Sequence, residues 1–117
     1  MAQNFRRYVE KSIGATAVDI PDGANFDSYD TIVGINLANR IAQQITVSVY
    51  MLTGGVADNL ANRYYVVKDA PIPAGSSLQA LDGGAKIVVQ SGDKFMFVSD
   101  TASSLDVWVS AVDAIST

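Results

Sequence analysis

The run Ile45-Thr46-Val47-Ser48-Val49-Tyr50-Met51 alternates, with Ile45, Val47, Val49 and Met51 on one side and Thr46, Ser48 and Tyr50 on the other. An extended chain sends successive side chains to opposite faces, so a period of two in β-branched residues predicts a strand with one buried face. Leu105-Asp106-Val107-Trp108-Val109-Ser110-Ala111 repeats the pattern, placing Leu105, Val107, Val109 and Ala111 inward and Asp106, Trp108 and Ser110 outward. A third run, Thr31–Leu37, sets Val33, Ile35 and Leu37 against Ile32, Gly34 and Asn36. Shorter runs follow at Arg63–Lys68, Ser77–Leu81, Lys86–Gln90 and Lys94–Ser99, with weaker ones at Phe5–Ile13 and Thr16–Ile20.

Turn residues punctuate these runs. Asp82-Gly83-Gly84 and Ser91-Gly92-Asp93 sit between consecutive runs, with glycine where a tight hairpin needs a positive φ. Pro71-Ile72-Pro73-Ala74-Gly75-Ser76-Ser77 carries two prolines that cannot donate to a ladder, and reads as an extended crossover loop. Helix is nearly absent: Asn36–Gln44 has helix formers without sustained apolar spacing, and Gly55–Arg63 has room for one helical turn. Seven to nine short strands at this spacing predict an all-β fold, a single antiparallel β-sandwich of jelly-roll or small-barrel form.

The chain has 117 residues, the size of one domain, and 49% hydrophobic content to fill its core. No linker or charge block divides residues 1–117, although residues 1–11, with Arg6, Arg7 and Lys11, suit an N-terminal arm. The absence of cysteine excludes disulfides, thiolate nucleophiles and zinc knuckles. The absence of histidine removes the usual triad base and the imidazole metal ligand. A net charge of −4 opposes nucleic-acid binding, and no apolar run approaches the ~18 residues of a spanning helix. With no signal-like stretch at Met1–Tyr8, the expectation is a soluble protein made in a cytoplasm, with no membrane partner.

Catalysis would fall to the acids. Asp19/Asp22 and Asp27/Asp30 are close in sequence, and general acid–base work needs two carboxylates with separated pKa values. Both pairs lie among Pro21, Gly23 and Ser28, where aspartate commonly accepts turn hydrogen bonds. Asp22-Gly23 lacks the spaced acids of a calcium loop, and Gly54-Gly55 and Gly83-Gly84 lack the Lys-Ser/Thr of a phosphate loop. No catalytic residue, metal ligand or cofactor site is therefore assigned. The interface candidates are Arg6, Arg7, Tyr8, Tyr50 and Trp108. Trp108 and Tyr50 project from the face opposite the core positions, where they either anchor a partner or are covered within the monomer. Arg6-Arg7-Tyr8 suits docking on an acidic surface, or solvation.

Three segments carry a resemblance. They are Ala70-Pro71-Ile72-Pro73-Ala74-Gly75-Ser76-Ser77-Leu78, the stretch Asp82–Asp93 with Lys86-Ile87-Val88-Val89-Gln90-Ser91-Gly92-Asp93, and Ser99-Asp100-Thr101-Ala102-Ser103-Ser104-Leu105-Asp106-Val107. Together they resemble small virion structural proteins of tailed bacteriophages, notably cyanophages and related marine phages. The N-terminal half is similar more loosely, through Ile35-Asn36-Leu37-Ala38-Asn39 and Ile45-Thr46-Val47-Ser48-Val49. Trp108 and the continuation past Ser110 to Thr117 depart from the family pattern.

The resemblance implies a β-sandwich virion component, made in the host cytoplasm, with no catalytic residues. An accessory role follows from it, as capsid cement or decoration or as a neck, tail or baseplate attachment. The partners would be the major capsid or neck and tail proteins and further copies of the chain, in a homo-oligomer. Two other expectations stand beside it: a carbohydrate- or surface-binding module using Trp108 with Tyr50 or Tyr64, and a small enzyme built on an aspartate pair.

Overall fold

A computed structural model of the chain describes residues 4–20, 30–54, 57–81, 87–90 and 92–113. Within them nine strands form: β1 (Asn4–Ile13), β2 (Val18–Ile20), β3 (Asp30–Asn39), β4 (Ile45–Leu52), β5 (Tyr64–Ile72), β6 (Ser77–Leu81), β7 (Ile87–Val89), β8 (Lys94–Ser99) and β9 (Leu105–Asp113). A single 3-10 turn at Leu60–Asn62 falls inside the segment read as holding a helical turn. The segment Asn36–Gln44 is instead the end of β3 and a bend.

All pairings are antiparallel and divide between two sheets. The first sheet runs β1-β9-β3, with β6 and β7 both on the far edge of β3; the second runs β2-β8-β4-β5. Counted together as one position beside β3, β6 and β7 complete two sheets of four positions in a β-sandwich of jelly-roll order. The chain changes sheet at nearly every connection, so most neighbours within a sheet are distant in sequence.

Among the described residues neither of two expected hairpins is found. β6 and β7 do not pair with each other, because Ser77–Leu81 meets β3 at Ala38–Ile35 and Ile87–Val89 meets it at Ile32–Asp30. The glycines of Asp82-Gly83-Gly84 lie outside the described residues. Gly92, at φ +92°, serves a turn that carries the chain from the first sheet into β8 of the second. Of the proline stretch, Pro71 and Ile72 belong to β5, which tolerates a missing donor because it is the edge of its sheet. The crossover itself begins at Pro73.

The alternation of β4 and β9 is realised as read: Ile45, Val47, Val49, Leu105, Val107, Val109 and Ala111 are buried between the sheets. In β3 the expected faces change midway. A register shift between Ile32 and Gly34 brings Ile32 inward together with Ile35 and Leu37, and Val33 is only half-buried. Phe95 and Phe97 of β8, with ring centroids 6.0 Å apart, fill the middle of the second sheet. Each such side chain stabilises the fold by about 1.5–3 kcal/mol relative to exposure.

Buried Asn39 ties the sheets together at one end. Its Nδ2 donates to the carbonyls of Gln43 (2.7 Å), Ile72 (3.0 Å) and Pro73 (3.1 Å), and its Oδ1 accepts from the Ile41 amide at 3.0 Å. At the β8–β9 corner, the buried hydroxyls of Ser99 and Ser104 lie 2.6 Å apart. These serines belong to the third resembling segment, and their role here is to close a corner.

Candidate functional site

The alternation that buries one face of β9 leaves the other outside. Trp108 stands on the outer face of the first sheet, 50% exposed. Its cross-strand neighbours are Val9 of β1 and Asn36 of β3. The Arg7 guanidinium lies 5.4 Å from the Trp108 ring centroid, a cation–π contact of about 0.5–1 kcal/mol at an exposed site. Val9 is itself exposed, and Val88 of β7 is exposed on the same outer face, across from Thr31. A shallow groove of about 530 Å³ runs beside the indole, lined by Val9, Glu10, Lys11, Asp106, Val107 and Trp108.

One end of this face is pinned by a polar cluster. Ser12, at φ +57°, sits where the register of β1 shifts, and its amide donates to Asp106 Oδ1 at 3.0 Å. Arg40 donates to the same oxygen at 3.1 Å and to Ser12 Oγ at 2.6 Å. The cluster fixes the β1 irregularity against β9, and so fixes the strand that carries Arg7 and Val9.

The other interface candidates are distributed differently. Arg6 is exposed on the alternate side of β1 from Arg7. Tyr8 lies on the core side of β1: it pairs with buried Val109, packs partly buried against the core, and its hydroxyl donates to Asp30 at 3.5 Å. The expected cluster Arg6-Arg7-Tyr8 is therefore split between two faces. The described part of the expected N-terminal arm, residues 4–11, pairs along β9 as β1.

Tyr50 is a correction as an interface candidate, since of the two fates read for it the structure shows cover within the monomer. It does project from the outer face of the second sheet, as the alternation requires, but only 1% of it is exposed. It forms a small apolar cluster with Leu52 and Met96, against which Tyr65 packs. The β4–β5 connection closes over this cluster: Tyr50 Oη donates to Asp58 at 2.7 Å, and Arg63 lies 4.2 Å over the ring. Arg63 Nε also pairs with Asp58 at 2.9 Å. Burial first, then the Asp58 carboxylate, push the Tyr50 phenol far above its ordinary range. Trp108 and Tyr50 thus belong to different sheets, as do Trp108 and the exposed Tyr64 of β5, and neither pair can form a two-ring platform.

The acids among the described residues are spread rather than convergent. Asp22 and Asp27, one member of each expected aspartate pair, lie outside the described residues. Asp19 of β2 is 3.8 Å from Lys94, and Asp30 opens β3 in the other sheet. Asp93 accepts the amides of Gln90 and Gly54 at 2.9 and 3.2 Å. Asp100 accepts the Thr46 amide at 3.1 Å, the main cause of its lowered pKa. Among the described residues no three acids come together as a metal would require. None of their helices is long and apolar enough to cross a membrane.

Sequence reading named Trp108 and Arg7 as separate interface candidates without bringing them to one face, and it missed Val9 and Val88. The spacing Arg7, Val9, Lys11 was the available signal for Val9, since alternate residues of one strand share a face. No protein-family model, curated protein or solved structure matches this chain.

Proposed function

We propose that this chain is a non-enzymatic virion structural protein of a tailed phage, acting through protein–protein contacts made by the outer face of its first sheet. The observation that carries the reading is Trp108, half-exposed amid Val9, Arg7 and Asn36 on a face that no other described segment overlies. A rigid aromatic on a flat, weakly charged sheet offers contact area at small entropic cost. Its counterpart on the second sheet, Tyr50, is covered by the chain's own β4–β5 connection. The resemblance of the segments within 70–107 to small phage virion proteins supplies the particle.

The role is accessory: capsid cement or decoration, or attachment at the neck, tail or baseplate. The neighbours would be the major capsid or the neck and tail proteins, over an interface of about 800 Å² per partner. An inert part suits the chemistry, because Asp58, Asp93, Asp100 and Asp106 are engaged in bonds that hold loops and strand ends. Mass spectrometry of purified particles tests the reading. Copies in proportion to the major capsid protein mean decoration, and copies in proportion to neck or baseplate proteins mean attachment there. Absence from particles, with no binding to them in solution, overturns it.

A carbohydrate-binding module is the second reading, favoured by the groove that sets the Trp108 ring beside Glu10 and Asp106. Aromatic stacking with flanking carboxylates is suitable chemistry for a sugar ring. Glycan-array binding abolished by Trp108→Ala would select this reading over the first.

A further inference from the structure

A sandwich has four sheet edges, and three of them are blunted here. β2 is three residues long. The opposite edge of its sheet, β5, carries Lys68, Asp69 at φ +51° and Pro71. The edge formed by β6 and β7 is described in two short pieces, Ser77–Leu81 and Ile87–Val89. Short, bulged, charged or proline-bearing edges are the usual means of discouraging strand addition. β1 also carries charges and, at Ser12, a register shift, but it differs in length and regularity: it is ten residues long, it contains no proline, and its register against β9 is regular from Asn4 to Glu10. Among the described residues no strand pairs with its outer edge.

We propose that β1 pairs antiparallel with β1 of a second copy about a two-fold axis through Tyr8, joining the first sheets of two molecules into one. The inference deepens the assembly reading above and rests on it, naming a second copy as the partner of this edge.

Sheet geometry and charge together choose the register. Tyr8 faces the core side, and Arg7 and Val9 face outward. A slip by one residue would set the solvent face of one molecule against the core face of the other, so the axis passes through a residue and not between two. An axis through Arg6, Arg7 or Glu10 places that charged residue opposite its own copy. An axis through Val9 places Arg7 opposite Lys11. Like charges directly opposite one another destabilise a sheet. The axis through Tyr8 sets Arg6 opposite Glu10 twice and Arg7 opposite Val9 twice, with no like-charge pair. It is the one register of the five that turns the charges of this edge into complementary pairs.

The outward surface then doubles. Trp108 lies one strand in from the seam on each side, so the two indoles share a face about 15 Å apart, given the spacing of adjacent strands. The Trp108–Val9 strips of two molecules become one continuous docking surface, with the Arg7 side chains between them.

Sedimentation of the purified chain over a wide concentration range should show a monomer–dimer equilibrium. Arg6→Glu, at an exposed position, should weaken it at least about tenfold by setting acids opposite acids. Adding Glu10→Arg to that variant should restore dimerisation. The chain has no cysteine, so single cysteines report the register cleanly. In the proposed pairing, Cα atoms of residue 7 and residue 9 of the second copy lie about 4.5–5.5 Å apart, within disulfide range. A mixture of Arg7→Cys and Val9→Cys chains should therefore cross-link on oxidation. Each alone should not, its own copy standing about 8 Å away. A wild-type chain that stays monomeric throughout, a charge reversal that is not rescued, or self-cross-linking of Arg7→Cys overturns the proposal. None of these measurements involves a particle, so they can fail while particle binding holds, and the reverse.

Discussion

The hydroxyl of Tyr50, on β4, donates to the carboxylate of Asp58 in the following connection at 2.7 Å. This bond makes an outward-facing aromatic part of the interior. Asp58 is held in turn by Arg63 at 2.9 Å, and the same guanidinium covers the Tyr50 ring. Tyr50→Phe keeps the ring and removes the donor, leaving Asp58 with Arg63 alone. A hydrogen bond to a charged group contributes about 1.5–3 kcal/mol, and the partial exposure of Asp58 discounts this toward the lower figure. Urea denaturation of the variant should show a loss of about 1–2 kcal/mol with an unchanged slope.

The same contact gives the protein an alkaline limit. Burial and the neighbouring carboxylate raise the phenol pKa in the folded state, whereas in the unfolded chain it ionises near its ordinary value of about 10. The stabilisation is thus fully present below about pH 10 and declines as pH rises through the interval between the two values. Unfolding free energy measured against pH should fall across that interval in the wild type. In Tyr50→Phe this component of the fall should vanish.

Asn39→Ala should be among the most destabilising single changes outside the apolar core. One buried amide group serves three carbonyls and one N–H across the ends of β3 and β5. Alanine leaves these backbone groups without that partner, at about 1–3 kcal/mol for each that water cannot reach. A loss of about 3 kcal/mol in thermal or denaturant unfolding is expected. Asn39→Asp should not rescue it, since a carboxylate presents oxygen to oxygen.

The two-layer β fold was legible because each strand buries one face, and a period of two survives any arrangement of the strands. Ile45–Met51 and Leu105–Ala111 were read correctly for this reason. Strand order was not legible: β6 and β7 meet β3 instead of each other, a pairing fixed by contacts some forty to sixty residues away in the chain. The fate of Tyr50 had the same cause, since alternation specifies a face but not what lies over it. Asp58 and Arg63, which cover it, have no periodic signature. Trp108 stays exposed because nothing described overlies it, and the run Arg6-Arg7-Tyr8 divides because adjacent residues of a strand alternate between its faces.

Gly14→Ala tests how tightly the β8–β9 corner is packed. A Cβ at Gly14 would stand 3.1 Å from the Ala102 Cα and 3.3 Å from the Ser103 amide nitrogen. Both are backbone atoms, and the corner is held against this segment by Ser99 N–H to the Gly14 carbonyl and Ser104 N–H to the Ile13 carbonyl. Restricting the unfolded chain favours alanine by about 0.4–1 kcal/mol at a compatible site. Overpacking against fixed backbone costs about 1–3 kcal/mol, so the net should be a loss of about 1–2 kcal/mol. A stabilised variant would mean that the corner yields.

Trp108→Ala should separate binding from folding. The ring is half-exposed, and its contact with Arg7 is of the weak, solvent-accessible kind, so stability should change by less than about 1 kcal/mol. If the outer face of the first sheet is the docking surface, the same substitution removes its central aromatic. Truncating such an anchor typically costs about 2 kcal/mol or more, a loss of about thirtyfold in affinity for particles. Tyr64→Ala supplies the control, because it deletes an exposed aromatic from the second sheet. Titrated against purified particles, Trp108→Ala should fail to saturate where Tyr64→Ala behaves as wild type. Equal losses in both would place the contact elsewhere, and a loss confined to Tyr64→Ala would move it to the second sheet.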